Sequence, residues 1–154
     1  MLTNNDVIRR LRYAFDLSDQ NMVDIFKEAD FETNIDVVIA WTKKDDAPGF
    51  KEISNTELIA FLDGFINLKR GKKEGYEFVA TPYIDNNLIF RKLRIALSLK
   101  DDEILKIMEL SGKTISKHEL SAFFRKPEHK HYRLCKDQVL RNFLKGLAIR
   151  QGKK

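Results

Sequence analysis

Residues 4–17, NNDVIRRLRYAFDL, reappear as residues 86–99, NNLIFRKLRIALSL, at a constant offset of 82 positions. Seven of the fourteen aligned positions are identical. In the first copy Val7, Ile8 and Leu11 recur at the spacing of one face of an α-helix, with Asn4 or Asn5 as the expected N-cap. An amphipathic helix therefore opens each half of the chain, which indicates an internal duplication.

The duplication extends through the rest of both halves. Ungapped similarity continues into the next helix, after which we place one inserted residue in the second copy, so that Trp41 pairs with Phe124. The offset of 82 then returns and pairs Gly64 with Gly146. A glycine inside a helix costs about 1 kcal/mol relative to alanine. Its presence in both copies predicts a close approach of two helices at that point.

Each copy is predicted to form four helices. The sequences Ser116–Glu119 and Ser54–Glu57 both have the S-x-x-E pattern of a capping box, which starts a helix. The expected fold is all-α, with two tandem pseudo-symmetric four-helix units packed on a shared core.

The predicted boundaries follow from the repeat. Residues 1–73 form the first unit, residues 83–154 form the second, and residues 74–82 connect them. Gly75 and Pro82 mark the connection as non-helical, while Tyr76 and Phe78 make it too apolar for a free linker. We expect this connection to pack across the seam between the units.

Composition restricts the class of protein. The chain has 154 residues, 43% of them hydrophobic and 33% charged, which is typical of a folded globular protein. There is no apolar run of the roughly 18 residues needed to span a membrane, and no secretion signal at Met1–Asp6. Cys135 is the only cysteine, so no intrachain disulfide can form. A cytoplasmic protein that does not interact with membranes is expected.

The charge is uneven between the two units. Residues 1–73 hold 11 basic and 13 acidic residues, and residues 83–154 hold 17 basic and 8 acidic residues. With Glu74 and Glu77 of the connection, these give the net charge of +5. The C-terminal unit is therefore expected to face an anionic partner.

Three motifs resemble those of the YehS-like family of small duplicated bacterial proteins of unassigned function. They are the paired N-N-x-I-x-R-[KR]-L-R-x-A segments, residues 41–50 (WTKKDDAPGF), and the helices with F-L-x-G at Phe61–Gly64 and Phe143–Gly146. The resemblance covers nearly the whole chain. It implies a bacterial cytoplasmic protein of two similar units, and it assigns no catalytic residue.

The basic C-terminal region provides the main candidate site. Residues 125–154 hold ten basic residues against Glu128 and Asp137. Phosphate or carboxylate groups of an acidic protein or a nucleic acid could bind there, or the face could simply be solvated. The candidate anion-binding residues are Arg125, Lys126, Arg133, Arg141 and Lys145.

A second candidate is a small-anion site between the repeats. Arg12 and Arg94 occupy equivalent positions and could line a groove there, although such arginines more often cover the core and pair with acids. Trp41 and the aromatic Phe124 of the second copy are followed by basic residues. A stacking platform for single-stranded nucleic acid is one interpretation, and a core aromatic is the favoured one.

Other chemistries have weaker support. His129, His131 and Cys135 could be drawn as a metal site, but no fourth ligand is evident. The third helix of each copy lacks the polar and basic face of a DNA-recognition helix. No phosphate loop or hydrolase motif is present. No cofactor, metal site or catalytic residue is predicted. The preferred hypothesis is a non-enzymatic module that binds a macromolecule, with non-specific nucleic-acid binding or a small-ligand enzyme as alternatives.

Overall fold

The computed structural model describes residues 1–153 and is all-helical over that range. The first repeat contains four helices and the second contains their four counterparts, which confirms the predicted fold class. The helices are α1 (Asn4–Ala14), α2 (Asp19–Glu28), α3 (Ile35–Thr42), α4 (Asn55–Arg70), α5 (Asn86–Ala96), α6 (Asp101–Leu110), α7 (Lys117–Phe123) and α8 (Asp137–Arg150).

Capping boxes start helices in both repeats. Ser54 with Glu57 caps α4, and Ser116 with Glu119 caps α7, as predicted. The prediction that Asn4 or Asn5 caps α1 is wrong. Thr3 is the N-cap of α1, because its hydroxyl accepts the Asp6 backbone N–H, and Asp85 is the N-cap of α5. The asparagine side chains that follow these caps bind another part of the chain instead.

The two repeats align without the predicted insertion. Helices α3 and α7 begin 82 residues apart, after N-caps Asn34 and Ser116. The Lys51 N–H donates to the Ala40 carbonyl at 3.1 Å, and its counterpart, the Arg133 N–H, donates to the Ala122 carbonyl at 3.2 Å. Trp41 therefore corresponds to Phe123 rather than to Phe124. Two adjacent phenylalanines made the residue types ambiguous, whereas the backbone hydrogen bonds define the register.

The helical glycines lie where two helices almost touch, as predicted. A Cβ atom at Gly64 would lie 1.9 Å from the Ile25 carbonyl oxygen, and one at Gly146 would lie 2.1 Å from that of Ile107. No non-bonded Cβ can approach an oxygen so closely, so only glycine lets α4 pack on α2 and α8 on α6 at these distances.

The repeats share one core through two equivalent seams. Helix α4 packs against α5, and its counterpart α8 packs against α1, so each repeat presents its last helix to the first helix of the other. This is the arrangement of a pseudo-twofold pair. The buried apolar residues of both repeats form one continuous cluster, with Phe26 and Trp41 in one half and Phe90 and Phe143 in the other.

The connection between the repeats has defined contacts. The Phe78 ring meets the Phe31 ring edge-on at 6.0 Å. The carbonyls of Thr81 and Pro82 accept hydrogen bonds from the Thr56 hydroxyl and the Asn55 amide at the start of α4. The connection is thereby held on the first repeat before it enters α5. Over residues 1–153, no helix has the length and apolar character required to cross a membrane.

Candidate anion-binding surfaces

Arg12 and Arg94 occupy equivalent places, each within its own repeat. A guanidinium nitrogen of Arg12 lies 2.6 Å from a carboxylate oxygen of Asp19, and that of Arg94 lies 2.8 Å from Asp101. The Arg94 guanidinium also lies over the Phe124 ring at 4.7 Å from its centroid. Each arginine thus joins the end of one helix to the start of the next. The structure does not bring the two together in a groove between the repeats, and their binding of a ligand stays a prediction.

A cleft of about 720 Å³ surrounds Arg12. It lies within the first repeat, where the end of α1 meets the start of α2 and the end of α3. Its cationic side chains already have protein partners: Arg12 pairs with Asp19, Arg9 with Asp6 at 2.7 Å, and the Lys43 ammonium donates to the Pro48 carbonyl at 2.9 Å. An anion entering this cleft would have to displace those partners.

Residues 125–136, which we call the basic loop, connect α7 to α8 and are held by Asn87. The buried Asn87 amide donates to the carbonyls of Phe123 (3.1 Å) and Arg133 (2.8 Å), and its oxygen accepts the Cys135 N–H at 2.8 Å. Asn5 does the same in the first repeat, with Trp41, Lys51 and Ile53 as partners. Both loops are therefore fixed to the first helix of their own repeat.

The same scaffold carries a different charge in each repeat. The basic loop contains five basic residues and one acidic residue, whereas its counterpart, residues 43–54, contains three of each. The side chains of Lys126, Lys130, Arg133 and Lys136 are exposed, and within residues 1–153 none of them forms an ion pair. The fold therefore displays a rigid cationic surface in only one of the two copies.

The five predicted anion-binding residues fall into two groups. Arg125, Lys126 and Arg133 lie on the basic loop, while Arg141 and Lys145 lie on α8. Hydrogen bonds from the Asn86 side chain and the Leu2 backbone lower the pKa of Asp137, and Arg141 lowers it further. Arg141 is thus partly neutralised by an ionised neighbour, and Lys145 lies at the seam with α1.

The predicted aromatic platform lies in the core. The Trp41 side chain is 1% exposed and packs on Phe26 at a centroid distance of 5.2 Å. Phe124 is half-buried, with its ring 5.1 Å from that of Phe90. The core interpretation is confirmed for Trp41, which offers no open face for stacking on bases, whereas Phe124 packs against the edge of the core.

The histidines of the basic loop and Cys135 do not form a metal site. His129 and His131 have ring centroids 5.5 Å apart on the surface, whereas Cys135 is buried. Among residues 1–153, no three His, Cys, Asp or Glu side chains are grouped so that they could hold a metal ion. Burial, with a smaller contribution from Asp85 and Asp137, raises the pKa of the Cys135 thiol to about 12. The thiol is therefore protonated at neutral pH and is a poor nucleophile.

The protected thiol gives the first testable prediction. Because Cys135 is 1% exposed and its pKa is raised, we expect a water-soluble aromatic disulfide reagent to label the folded protein at pH 8 at least ~100-fold more slowly than the protein in guanidinium chloride. Absorbance of the released thiolate measures both rates. Equal rates in the two conditions would show that the loop around Cys135 opens freely.

Two features of the structure were not recognised in the sequence. One is the structural role of Asn5 and Asn87, which their identity in both copies could have indicated. The other is a cleft at the seam between α1 and α8, which Arg10 and Lys145 both line. No local pattern indicates that cleft, because the α1 residues that line it are more than 130 positions from the α8 residues in the chain.

Fold and surface together define a class: a duplicated all-α protein with a closed core and cationic surfaces in its second copy. The chain belongs to the DUF1456 family, described as proteins of unknown function, since residues 4–71 and 86–152 each match it. It is similar to the uncharacterised protein YehS of Escherichia coli (strain K12), with 38% identity over 151 residues that cover 97% of each chain. No solved structure matches the chain.

Proposed function

We propose that this protein is a non-enzymatic, cytoplasmic binding module whose basic loop engages an acidic protein partner. The observation that carries the proposal is the charge difference between equivalent loops. Both loops have the same asparagine-anchored backbone, yet one has five basic residues to one acidic residue and the other has three of each. Because the loop of the first repeat folds in the same way without an excess of basic residues, we attribute the positive charge of the basic loop to binding.

An acidic protein suits this surface better than a nucleic acid. Leu134, near the end of the basic loop, is 63% exposed and follows Arg133, and apolar contact next to cations is typical of protein interfaces. Single-stranded nucleic acid usually requires aromatic side chains on which bases stack. Trp41 is buried in the core and provides no such face, and the ring of the half-buried Phe124 has the Arg94 guanidinium over it.

The test is a charge reversal with a matched control in the other repeat. The double variant Lys126→Glu/Arg133→Glu is expected to bind a fluorescein-labelled ten-residue polyglutamate peptide at least ~10-fold more weakly than wild type at low salt, because the electrostatic attraction becomes repulsion. Fluorescence anisotropy gives the dissociation constants. The control, Lys44→Glu/Lys51→Glu, changes the equivalent exposed positions of the first repeat and should leave binding unchanged.

Labelled single- and double-stranded DNA oligonucleotides in the same assay decide between the partner classes. Tighter binding to DNA than to the peptide, with affinity falling steeply as salt rises, would replace the acidic-protein proposal with non-specific nucleic-acid binding. No binding of either probe at low salt, or equal weakening by the control variant, would refute a role for the basic loop.

A further inference from the structure

The two seams between the repeats are formed by equivalent helices but differ in their electrostatics. At the α4–α5 seam the Lys92 ammonium lies 2.6 Å from an Asp63 carboxylate oxygen, and both side chains are only 19% exposed. The equivalent positions at the α1–α8 seam, 82 residues away in each case, are Arg10 and Lys145. One seam therefore has an ion pair where the other has two cations.

The two cations line a cleft at their seam. The cleft has a volume of about 350 Å³ and lies between one face of α1 and the facing side of α8. Its lining residues are Asp6, Arg9, Arg10, Tyr13, Leu144, Lys145 and Ala148.

The charge in this cleft is not balanced by the protein. Burial alone would raise the pKa of Asp6, but hydrogen bonds from Thr3 and Arg9 outweigh that effect and lower it, so Asp6 is ionised. Asp6 is paired with Arg9 at 2.7 Å, and Arg9 is also paired with Asp45 at 3.0 Å, so the charge of Arg9 is already neutralised by the protein. Within residues 1–153 neither Arg10 nor Lys145 takes part in an ion pair. The side chains of Arg10 and Lys145 are both exposed, so two positive charges accessible to an anion remain on the lining of one small cleft.

We propose that the α1–α8 cleft, through Arg10 and Lys145, binds the phosphate of a phosphomonoester. A phosphomonoester carries a charge of about −1.5 to −2 at pH 7, which matches the two uncompensated cations. Arginine can donate two parallel hydrogen bonds to phosphate oxygens, and lysine acts as a point charge beside them.

The rest of the cleft suits an apolar body attached to that phosphate. Leu144 and Ala148 provide a buried apolar floor, and the Tyr13 ring at the rim is 54% exposed. The Lys153 ammonium lies over the Tyr13 ring at 5.3 Å, which fixes one side of the ring. An aromatic phosphomonoester could therefore place its phosphate on the cations and its ring beside Tyr13.

The experiment uses phenyl phosphate as the probe, followed by ¹⁵N–¹H correlation spectra of the full chain. We expect saturable shifts of amide signals from α1 and α8, and weaker binding at pH 5 than at pH 7, because the phosphate loses its second charge near pH 6. Dimethyl phosphate, which is only a monoanion, is expected to bind at least ~10-fold more weakly. Equal affinity for the two probes would overturn the assignment to a monoester.

Lys145→Asp is the decisive variant, because it recreates at this seam the ion pair seen between Lys92 and Asp63. Binding of phenyl phosphate should fall at least ~10-fold, while the melting temperature stays equal or rises by about 2 °C through the new pair with Arg10. Arg10→Ala should also weaken binding, and the exposed control Lys113→Asp should not. The proposal would be overturned if the wild-type and Lys145→Asp proteins bound phenyl phosphate equally well. It would also be overturned if the wild-type protein did not bind phenyl phosphate at low salt. Neither outcome bears on the proposed role of the basic loop, because that proposal is tested with variants at Lys126 and Arg133.

Discussion

The Asn5→Asp variant is expected to lose about 4 kcal/mol of unfolding free energy, a large share of the roughly 5–15 kcal/mol typical of a folded domain. The Asn5 amide nitrogen donates to the carbonyls of Trp41 at 2.8 Å and Lys51 at 3.0 Å, and the residue is 3% exposed. A carboxylate has the same shape but no donor. It would leave two carbonyls without a partner and place a buried negative charge against their oxygens.

Urea denaturation followed by circular dichroism measures this loss, and two further variants complete the test. Asn21→Asp is the control, because Asn21 uses its side-chain oxygen to accept the exposed Ser18 N–H, which a carboxylate accepts equally well. That variant should differ from wild type by less than about 0.5 kcal/mol. Asn87→Asp repeats the experiment in the second copy, where the partners are the Phe123 and Arg133 carbonyls. If the Asn5→Asp variant were as stable as the Asn21→Asp control, the proposed role of Asn5 in holding the loop would be contradicted.

The pH dependence of the Asn5→Asp variant has a definite sign. Burial and the two facing carbonyls favour the neutral carboxyl, so the pKa of the introduced group is raised in the folded state above its unfolded value. The folded state then binds more protons than the unfolded state between the two pKa values. The deficit of the variant relative to wild type should therefore shrink as the pH falls from 7 to 5. A deficit that grew over that range would contradict the burial of the carboxyl.

The features that depend on residues close together in the chain could be predicted from the sequence. Helical spacing, the capping boxes at Ser54 and Ser116, and the paired glycines Gly64 and Gly146 each follow from local rules, and the structure has all of them. The same local rules misplaced the N-cap of α1. Asparagine is a good capping residue, but Asn5 bonds to residues 41, 51 and 53, contacts that no local pattern reveals.

The seam between α1 and α8 shows why the candidate sites could not be placed in advance. Equivalent arginines suggested a groove lined by Arg12 and Arg94, yet each of them pairs with an aspartate of its own repeat, Asp19 or Asp101. The cleft between the repeats instead joins α1 to α8, so Arg10 lies with Lys145. Predicting that pairing requires knowing which helices meet, and this is decided by the packing of the whole core.

The Gly64→Ala variant is expected to lose about 3 kcal/mol or more of unfolding free energy, and the melting temperature should fall by roughly 6–12 °C. The added methyl carbon would lie 1.9 Å from the Ile25 carbonyl oxygen. That oxygen belongs to the backbone of α2, so no side-chain rotation relieves the clash. The helices α2 and α4 must move apart, which disturbs the buried residues on both.

The sign of this effect makes the prediction decisive. In a helix that no neighbour touches, Gly→Ala raises stability by about 1 kcal/mol through helix propensity. A measured gain for Gly64→Ala would therefore show that α2 and α4 are not in contact at that point. Gly146→Ala tests the same contact in the second repeat. The control is Gly75→Ala, which meets no atom within 4 Å and has a φ of +78°, so only a backbone cost of about 1–2 kcal/mol is expected. A loss at Gly64 and Gly146 clearly larger than at Gly75 isolates the steric contribution, and with it the helix contact that both repeats have in common.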